Sequence, residues 1–296
     1  MIMEKMLRDK KVIMLFLFPA LFIYSVFVPF PALATLYYSL FQWNLIENMR
    51  FAGWDNFSNL FTMDPIFVTA IQNTFIYLLL SIALQIPAAF LIANTLSQKM
   101  RFSKFFQNVI FLPVTLSGVA VSLMWYFIYH PDLGILNGAL KLLGLSNFKQ
   151  AWLFNAKTAI YAVITAVAWQ WIGYHMMLFI AGIKTIPAEL LEAAKIDGAS
   201  EWDIMRRITF PLMKPVIKIS LILITISSFK NFDSIYVMTQ GGPAHATEVL
   251  ASHMYFKSFM QMEYGYGCSI ATVLFVMCVL ASLILSRVFR SKAEND

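Results

Sequence analysis

The sequence predicts an all-α membrane protein with six transmembrane helices. Two bulk observations exclude a soluble domain: the mean hydropathy is +0.69, and only 13% of the 296 residues are charged, against about a quarter in soluble globular proteins. A third observation gives the number of spans. Five runs, 12–46, 66–98, 105–131, 158–183 and 264–286, contain no Asp, Glu, Lys or Arg, and each supplies the roughly 20 apolar residues that cross a bilayer as a helix.

The first run starts behind a basic N-terminus and contains the small-residue pattern "ALA" at 32–34, as a cleaved signal peptide would. Its apolar stretch is too long for the about 7–15 residues of a signal core, so an uncleaved first helix is expected. The second run carries Pro87 and the third Pro113; with Pro19, Pro29 and Pro31 these are expected to kink their helices, which membrane helices tolerate because neighbouring groups satisfy the freed carbonyls. The fourth run contains Trp169, Gln170, Trp171, Tyr174 and His175, and His175 reads first as a hydrogen-bonded packing residue. A fifth span is expected from about Ile219 to Thr239, interrupted by Lys230 and Asp233. The last run holds both cysteines, Cys268 and Cys278, whose spacing suits neither a disulfide framework nor a metal site.

Orientation follows from the basic residues. With both termini on one side, that side carries Lys5, Arg8, Lys10 and Lys11, then Lys99, Arg101 and Lys104, then the basic residues of 184–218, and finally Arg287, Arg290 and Lys292: sixteen of the chain's 22. Acidic residues divide almost evenly, nine against seven, so the bias is of the positive-inside kind and that side is the cytoplasm. The net charge of +6 therefore reads as topology and contact with anionic lipid, with no nucleic-acid partner. The outer segments 47–65, 132–157 and 240–263 are too short for a domain of about 50 residues, so residues 1–296 form a single polytopic domain. They combine turn formers and interfacial aromatics in "FAGWDNF" (51–57), "HPDLGILNG" (130–138) and "QGGPAHATE" (240–248). No internal repeat appears.

One long polar passage interrupts the chain, "PAELLEAAKIDGASEWDIMRRITFPLMKP" at 187–215. Pro187 at a helix start lacks a donor where none is needed, and Glu189 and Glu192 sit in the first turns, where the helix dipole favours anions. A short helix of about Ala188 to Ile196 is expected, broken at Gly198; Ser200 then caps a second helix carrying Trp202, Ile204, Met205 and Ile208. Two short helices at an angle on the cytosolic side form a docking surface for a soluble partner. A membrane-surface role fits less well, because acidic residues at 189, 192, 197, 201 and 203 would be repelled by an anionic leaflet.

This passage resembles a known signature. Glu192-Ala193-Ala194, Gly198, Ile208 and Pro211, in this spacing, resemble the EAA motif of binding-protein-dependent ABC import permeases, with Phe210 where the family usually has Leu. "FAGWDNF", "FLPVTLSGVAVSLMW" (111–125), "GILN" (134–137), "IPAELLEAAKIDGAS" (186–200) and "FDSIYVMTQGGPAHATEVL" (232–250) resemble the MalF-like branch, which imports sugars and oligosaccharides. The resemblance implies a type I ABC importer permease fold in which 187–215 is the cytoplasmic coupling loop. Glu192, Ala193, Ala194, Asp197, Gly198, Ile208 and Pro211 would then engage an ATPase dimer. It further implies a second related permease, an extracytoplasmic solute-binding protein, and a bacterial inner-membrane location. ATP and Mg would belong to the partner, because this chain has no G-x-x-x-x-G-K-[ST] loop; no cofactor and no catalysis are expected here.

By the same resemblance His130, Gly134, Phe229, Lys230 and Asp233 would line the substrate path. Lys230 and Asp233, three residues apart, are expected on one helix face, as an internal ion pair, a substrate contact or both. They also leave open an ion-coupled secondary transporter as the alternative. An intramembrane enzyme is disfavoured, since neither H-E-x-x-H nor G-x-S-x-G occurs.

Overall fold

Each charge-free run is largely helical in the computed structural model, which describes residues 10–98 and 100–288. Lys5, Arg8, Lys99, Arg290 and Lys292 of the orientation tally lie outside the described residues. The backbone falls into two compact units, one comprising residues up to Met63 with Met254–Val273, the other Asp64–His253 with the chain from Leu274 onward.

In the first unit, α1 (Lys10–Phe27) carries Pro19 internally and α2 (Pro29–Tyr38) starts with Pro29 in its first turn, after Val28 at φ −119° and ψ −71°. A short antiparallel hairpin pairs β1 (Phe41–Gln42) with β2 (Arg50–Phe51). The following α3 (Asp55–Thr62) is pinned by Asn56, buried within "FAGWDNF", whose Nδ2 donates to the carbonyls of Ser39 (2.8 Å) and Phe41 (2.9 Å). The final long helix, numbered α14 below, enters this unit through its first turns.

The second unit is built on two long helices. Asp64 caps α4 (Pro65–Ser97), its Oδ1 accepting from the Phe67 amide at 3.0 Å, with Pro65 in the first turn where a missing donor costs nothing. Its 33 residues extend about 50 Å at 1.5 Å per residue, longer than the roughly 30 Å hydrocarbon core. Pro87 sits inside it without ending it. Alongside runs α8 (Ala159–Ile183), more enclosed than α4, with 16 of its 25 residues buried. The pair shares two clusters: Tyr77 with Ile160, Val163 and Ile164 near the N-terminal halves, and Phe90 and Ala93 with Met176 and Phe179 near the C-terminal halves. The two helices therefore run in the same direction, as the second and fourth spans of the expected topology must.

The expected third span, 105–131, is not one helix. It divides into α5 (Ser103–Phe111), a 3₁₀ turn over Leu112–Thr115, and α6 (Gly118–Ile128), with a bend of 99°. Pro113 starts the tighter turn and Leu116 is extended at ψ 148°. The Leu116 carbonyl freed by the bend accepts from Gln170 Nε2 of α8 at 3.1 Å, which is how an apolar environment tolerates broken backbone. Between α6 and α8 lies α7 (Ile135–Leu142).

After α8 come α9 (Ala188–Ile196) and α10 (Glu201–Leu212), the latter widening to a π-turn over Met205–Thr209. The fifth span also needs correction. α11 (Lys214–Lys230) starts earlier than expected, with Pro215 in its first turn, and leaves α10 at 69°. It ends at Lys230, where Asn231 turns to ψ 110°, and α12 (Asp233–Met238) is a separate helix. Lys230 and Asp233 therefore flank a break and do not share a helical face. After α13 (Leu250–Tyr255), α14 (Tyr264–Val288) is the last described helix and coincides with the last charge-free run, with Cys268 and Cys278 as free thiols. By length and apolarity, four helices among the described residues are able to cross a membrane, or up to six if each bent pair is one span.

Candidate functional site

The polar passage folds much as its local chemistry dictates. Pro187 precedes α9, Glu189 lies in its first turn and Lys195 in its last, each charge placed to favour the helix dipole. The helix ends in a Schellman turn: Ala199 N–H donates to the Ala194 carbonyl (3.0 Å) and Gly198 N–H to that of Lys195 (3.1 Å). That turn requires Gly198 at φ +79°, a conformation that side chains disfavour. Ser200 then caps α10, its Oγ accepting from the Asp203 amide at 3.1 Å. Asp203 also pairs with Arg207 at 3.5 Å, and Lys195 reaches across the elbow to Glu201 at 2.7 Å.

The two helices differ in how they are held. No residue of α9 is buried, and Ile196 is 87% exposed; Leu190 and the α10 residue Trp202 are also exposed, leaving an apolar ridge among charges. In contrast, α10 is rooted in the second unit. Met205 joins the buried cluster of Phe90, Phe179, Met213 and Ile217, and Phe210 packs edge-on against Phe90 at 5.6 Å. Gln98 Nε2, just beyond α4, donates to Glu201 at 3.1 Å. Glu192, Ala193, Asp197, Gly198 and Pro211 are exposed, whereas Ala194 and Ile208 are half-buried.

The residues expected along a substrate path fall into two places. His130 and Gly134 form the turn between α6 and α7: His130 Nδ1 accepts from the amides of Asp132 (3.3 Å) and Leu133 (3.2 Å), and the Gly134 amide donates to the His130 carbonyl (3.0 Å). Accepting at Nδ1 leaves the proton on Nε2. A Cβ at Gly134 would collide with the carbonyls of Ile128 and His130, so glycine is required for this close approach. Phe229, Lys230 and Asp233 surround the α11–α12 break. Phe229 is fully buried with its ring edge-on to Phe75 at 6.2 Å, while Lys230 and Asp233 are exposed. Among the described residues neither charge forms an ion pair, so the expected internal pair is not present. His175 matches its packing role, buried with Nδ1 2.7 Å from Ser220 Oγ of α11.

Several buried polar groups escape a charge-based reading. Tyr77 OH and Ser81 Oγ of α4, Trp125 Nε1 of α6 and Asn231 Oδ1 are buried without a protein hydrogen-bond partner. Tyr77, Trp125 and Phe232 belong to one cluster with Ile235 and Met238 of α12, and Phe232 stacks on Tyr236 at 5.1 Å. The signal was present in the sequence: Asn73, Tyr77, Ser81 and Gln85 recur every fourth residue along α4, a polar stripe on one helical face. Unsatisfied donors and acceptors beside aromatic rings suit a hydroxylated ligand. Among the described residues no three His, Cys, Asp or Glu side chains gather into a group able to hold a metal.

Comparison with known proteins bears on both regions. Residues 85–293, which include the elbow and the α11–α12 break, match the family described as binding-protein-dependent transport system inner membrane component. A probable ABC transporter permease protein of Pyrococcus horikoshii is 38% identical over 277 residues, 93% of this chain and 94% of that protein. The lactose transport system permease protein LacF of Rhizobium radiobacter is 33% identical over 274 residues, 91% of each. The fold is similar to that in the crystal structure of a bacterial ABC transporter involved in the import of the acidic polysaccharide alginate. That likeness has a TM-score of 0.83 and 22% identity, covering 98% of both chains.

Proposed function

The chain belongs to the family of binding-protein-dependent transport system inner membrane components, and on that premise we propose that it is one permease subunit of an ATP-driven ABC importer for a sugar or oligosaccharide. The observation that carries this reading is the elbow: an exposed helix, α9, joined through a glycine turn to a helix rooted among α4, α8 and α11. A protein docked on α9 would move α10, and with it the buried cluster that both long helices share. This lever supports reading 187–215 as a coupling loop, in which Glu192, Ala193, Ala194, Asp197 and Gly198 would form the docking face with Ile208 and Pro211 behind it.

The rest of the proposal follows from this lever. Each bent pair counts as one span, giving six, with residues 1–296 as a single permease domain and both termini in the bacterial cytoplasm. A second related permease completes the pore, an ATPase pair supplies ATP and Mg chemistry below, and an extracytoplasmic solute-binding protein delivers substrate above. The chain itself catalyses nothing; it works by alternating access. The LacF likeness supports a carbohydrate substrate, and the aromatic and polar groups around Asn231 support its passage past Phe229, Lys230 and Asp233, with His130 and Gly134 shaping the adjacent turn. The ion-coupled alternative is disfavoured because Lys230 and Asp233 stand on separate helices without a mutual bond, and it leaves the elbow unused.

Reconstitution tests the proposal. Proteoliposomes holding this chain, its partner permease and the ATPase are expected to accumulate sugar only with ATP and the solute-binding protein; uptake by this chain alone, driven by an ion gradient, would overturn it. Within that system Asp233→Asn and Lys230→Ala are each expected to raise the half-saturating substrate concentration about tenfold, the loss of one hydrogen bond to a charged group. Unchanged saturation curves for both variants would remove these side chains from the path.

A further inference from the structure

The segment between α6 and α8 presents an unpartnered apolar face whose chemistry is not that of a water-facing loop. α7 turns Leu136 and Asn137 inward. Asn137 is buried and fastens the segment by three bonds: Nδ2 to the carbonyls of Pro131 (2.8 Å) and Gln150 (3.0 Å), and Oδ1 from Trp152 Nε1 (2.9 Å). The opposite side is apolar and open. Leu142 is 90% exposed, and Leu133, Ile135, Leu143 and Phe148 are exposed with it. Because Asn137 fastens the inward face, these side chains are held outward by the fold.

Two features identify what covers them. The flanking helices α6 and α8 are apolar membrane elements, so a 30-residue connection between Ile128 and Ala159 that folds back on itself stays near the bilayer surface. The same connection carries Lys141, Lys149 and Lys157, all exposed, against the single acid Asp132. These are three of the five basic residues, with Arg50 and Lys257, on the side that the basic-residue bias leaves poor in cations. Lysine stems flanking an apolar helical face let the ammonium groups reach phosphates while the face enters the acyl boundary. We infer that α7 and the turn after it form an interfacial anchor, with Ile135, Leu142 and Leu143 in the headgroup–acyl boundary of the bilayer and the three lysines on anionic lipid phosphates. The anchor fixes the level at which α6 and α8 sit in the membrane, and it is independent of whether the elbow engages an ATPase.

Depth measurement tests this without transport. With Cys268 and Cys278 replaced by alanine, Leu142→Cys and, as an aqueous control, Asp132→Cys are labelled with bimane in the full chain. The protein is reconstituted in phosphatidylcholine vesicles with or without about a third phosphatidylglycerol. Lipids carrying a doxyl group high on the acyl chain are expected to quench the label at Leu142 about twofold or more over that at Asp132, while iodide favours Asp132. Doxyl-labelled phosphatidylglycerol is expected to quench more strongly than labelled phosphatidylcholine, and Lys141→Gln, Lys149→Gln and Lys157→Gln together to erase that preference. Equal iodide quenching at both positions with no lipid quenching overturns the inference. So does shielding of Leu142 that appears only when a solute-binding protein or second permease is added, since the face would then be a protein-docking surface.

Discussion

Gly198→Pro is expected to cut ATP-driven uptake by about tenfold or more while leaving the protein in the membrane in normal amount. Proline holds φ near −65°, whereas Gly198 stands at +79°, and it has no N–H to donate to the Lys195 carbonyl. It also biases the preceding residue away from the helical region, although Asp197 sits at φ −72° and ψ 2°. The last turn of α9 therefore unwinds, at a local cost of about 3 kcal/mol or more. Damage stops there because α10 is independently capped by Ser200 and anchored through Met205 in its buried cluster. Gly198→Ala separates conformation from crowding: no atom lies within 4 Å of the added Cβ, so only the positive φ, about 1–2 kcal/mol, is at stake and uptake is expected to fall partially. Glu192→Lys reverses a charge on α9 without touching the turn, and under the proposed function it is expected to weaken co-purification of the ATPase. Native uptake and native ATPase association in both Gly198→Pro and Glu192→Lys would end the case for the elbow as the coupling element.

The elbow was legible because its rules are local. Pro187 at the start, Gly198 at the stop and Ser200 at the next cap each act within one turn of backbone, and the structure has all three where sequence chemistry puts them. The spans were legible for a related reason, since lipid demands long uncharged helices, and α4, α8 and α14 follow their charge-free runs to within a few residues. Hydropathy reports the solvent of a segment and not its direction, so the 99° bend after Pro113 was not visible. That bend depends on Gln170, 54 residues away, satisfying the Leu116 carbonyl. The same blindness put Lys230 and Asp233 on one helix across the break at Asn231. Uncharged polar groups were discounted for a different reason: Tyr77, Ser81 and Trp125 leave a run charge-free. Glu248 shows the converse. It counted as an outer-loop charge, yet its side chain is enclosed, accepting from Ser252 Oγ at 2.6 Å beside His245, and Asn73 of α4 donates to its backbone carbonyl at 2.9 Å.

Asp64→Ala is expected to destabilise the protein by removing two contacts at once. Asp64 does two jobs at the start of α4: Oδ1 accepts from the Phe67 amide at 3.0 Å, and Oδ2 lies 2.9 Å from His253 Nε2 of α13. The side chains are 10% and 4% exposed respectively, so this contact is hardly screened by water. A carboxylate only accepts, which assigns the Nε2 proton of His253 as the donor. Alanine removes an N-cap, about 1 kcal/mol, and leaves that buried N–H without its acceptor, about 1–3 kcal/mol more. The sum of about 2–4 kcal/mol corresponds to a fall of roughly 3–6 °C in the melting temperature of the purified protein. Asp64→Asn retains an oxygen for the Phe67 amide and is expected to lose less. The decisive comparison is the double mutant of Asp64→Ala with His253→Leu. If the buried donor is the main liability, removing it along with its acceptor leaves the double mutant no less stable than Asp64→Ala alone. Simple addition of the two single losses would instead mean that the residues stabilise their helices separately, and that the contact between positions 189 residues apart contributes nothing of its own.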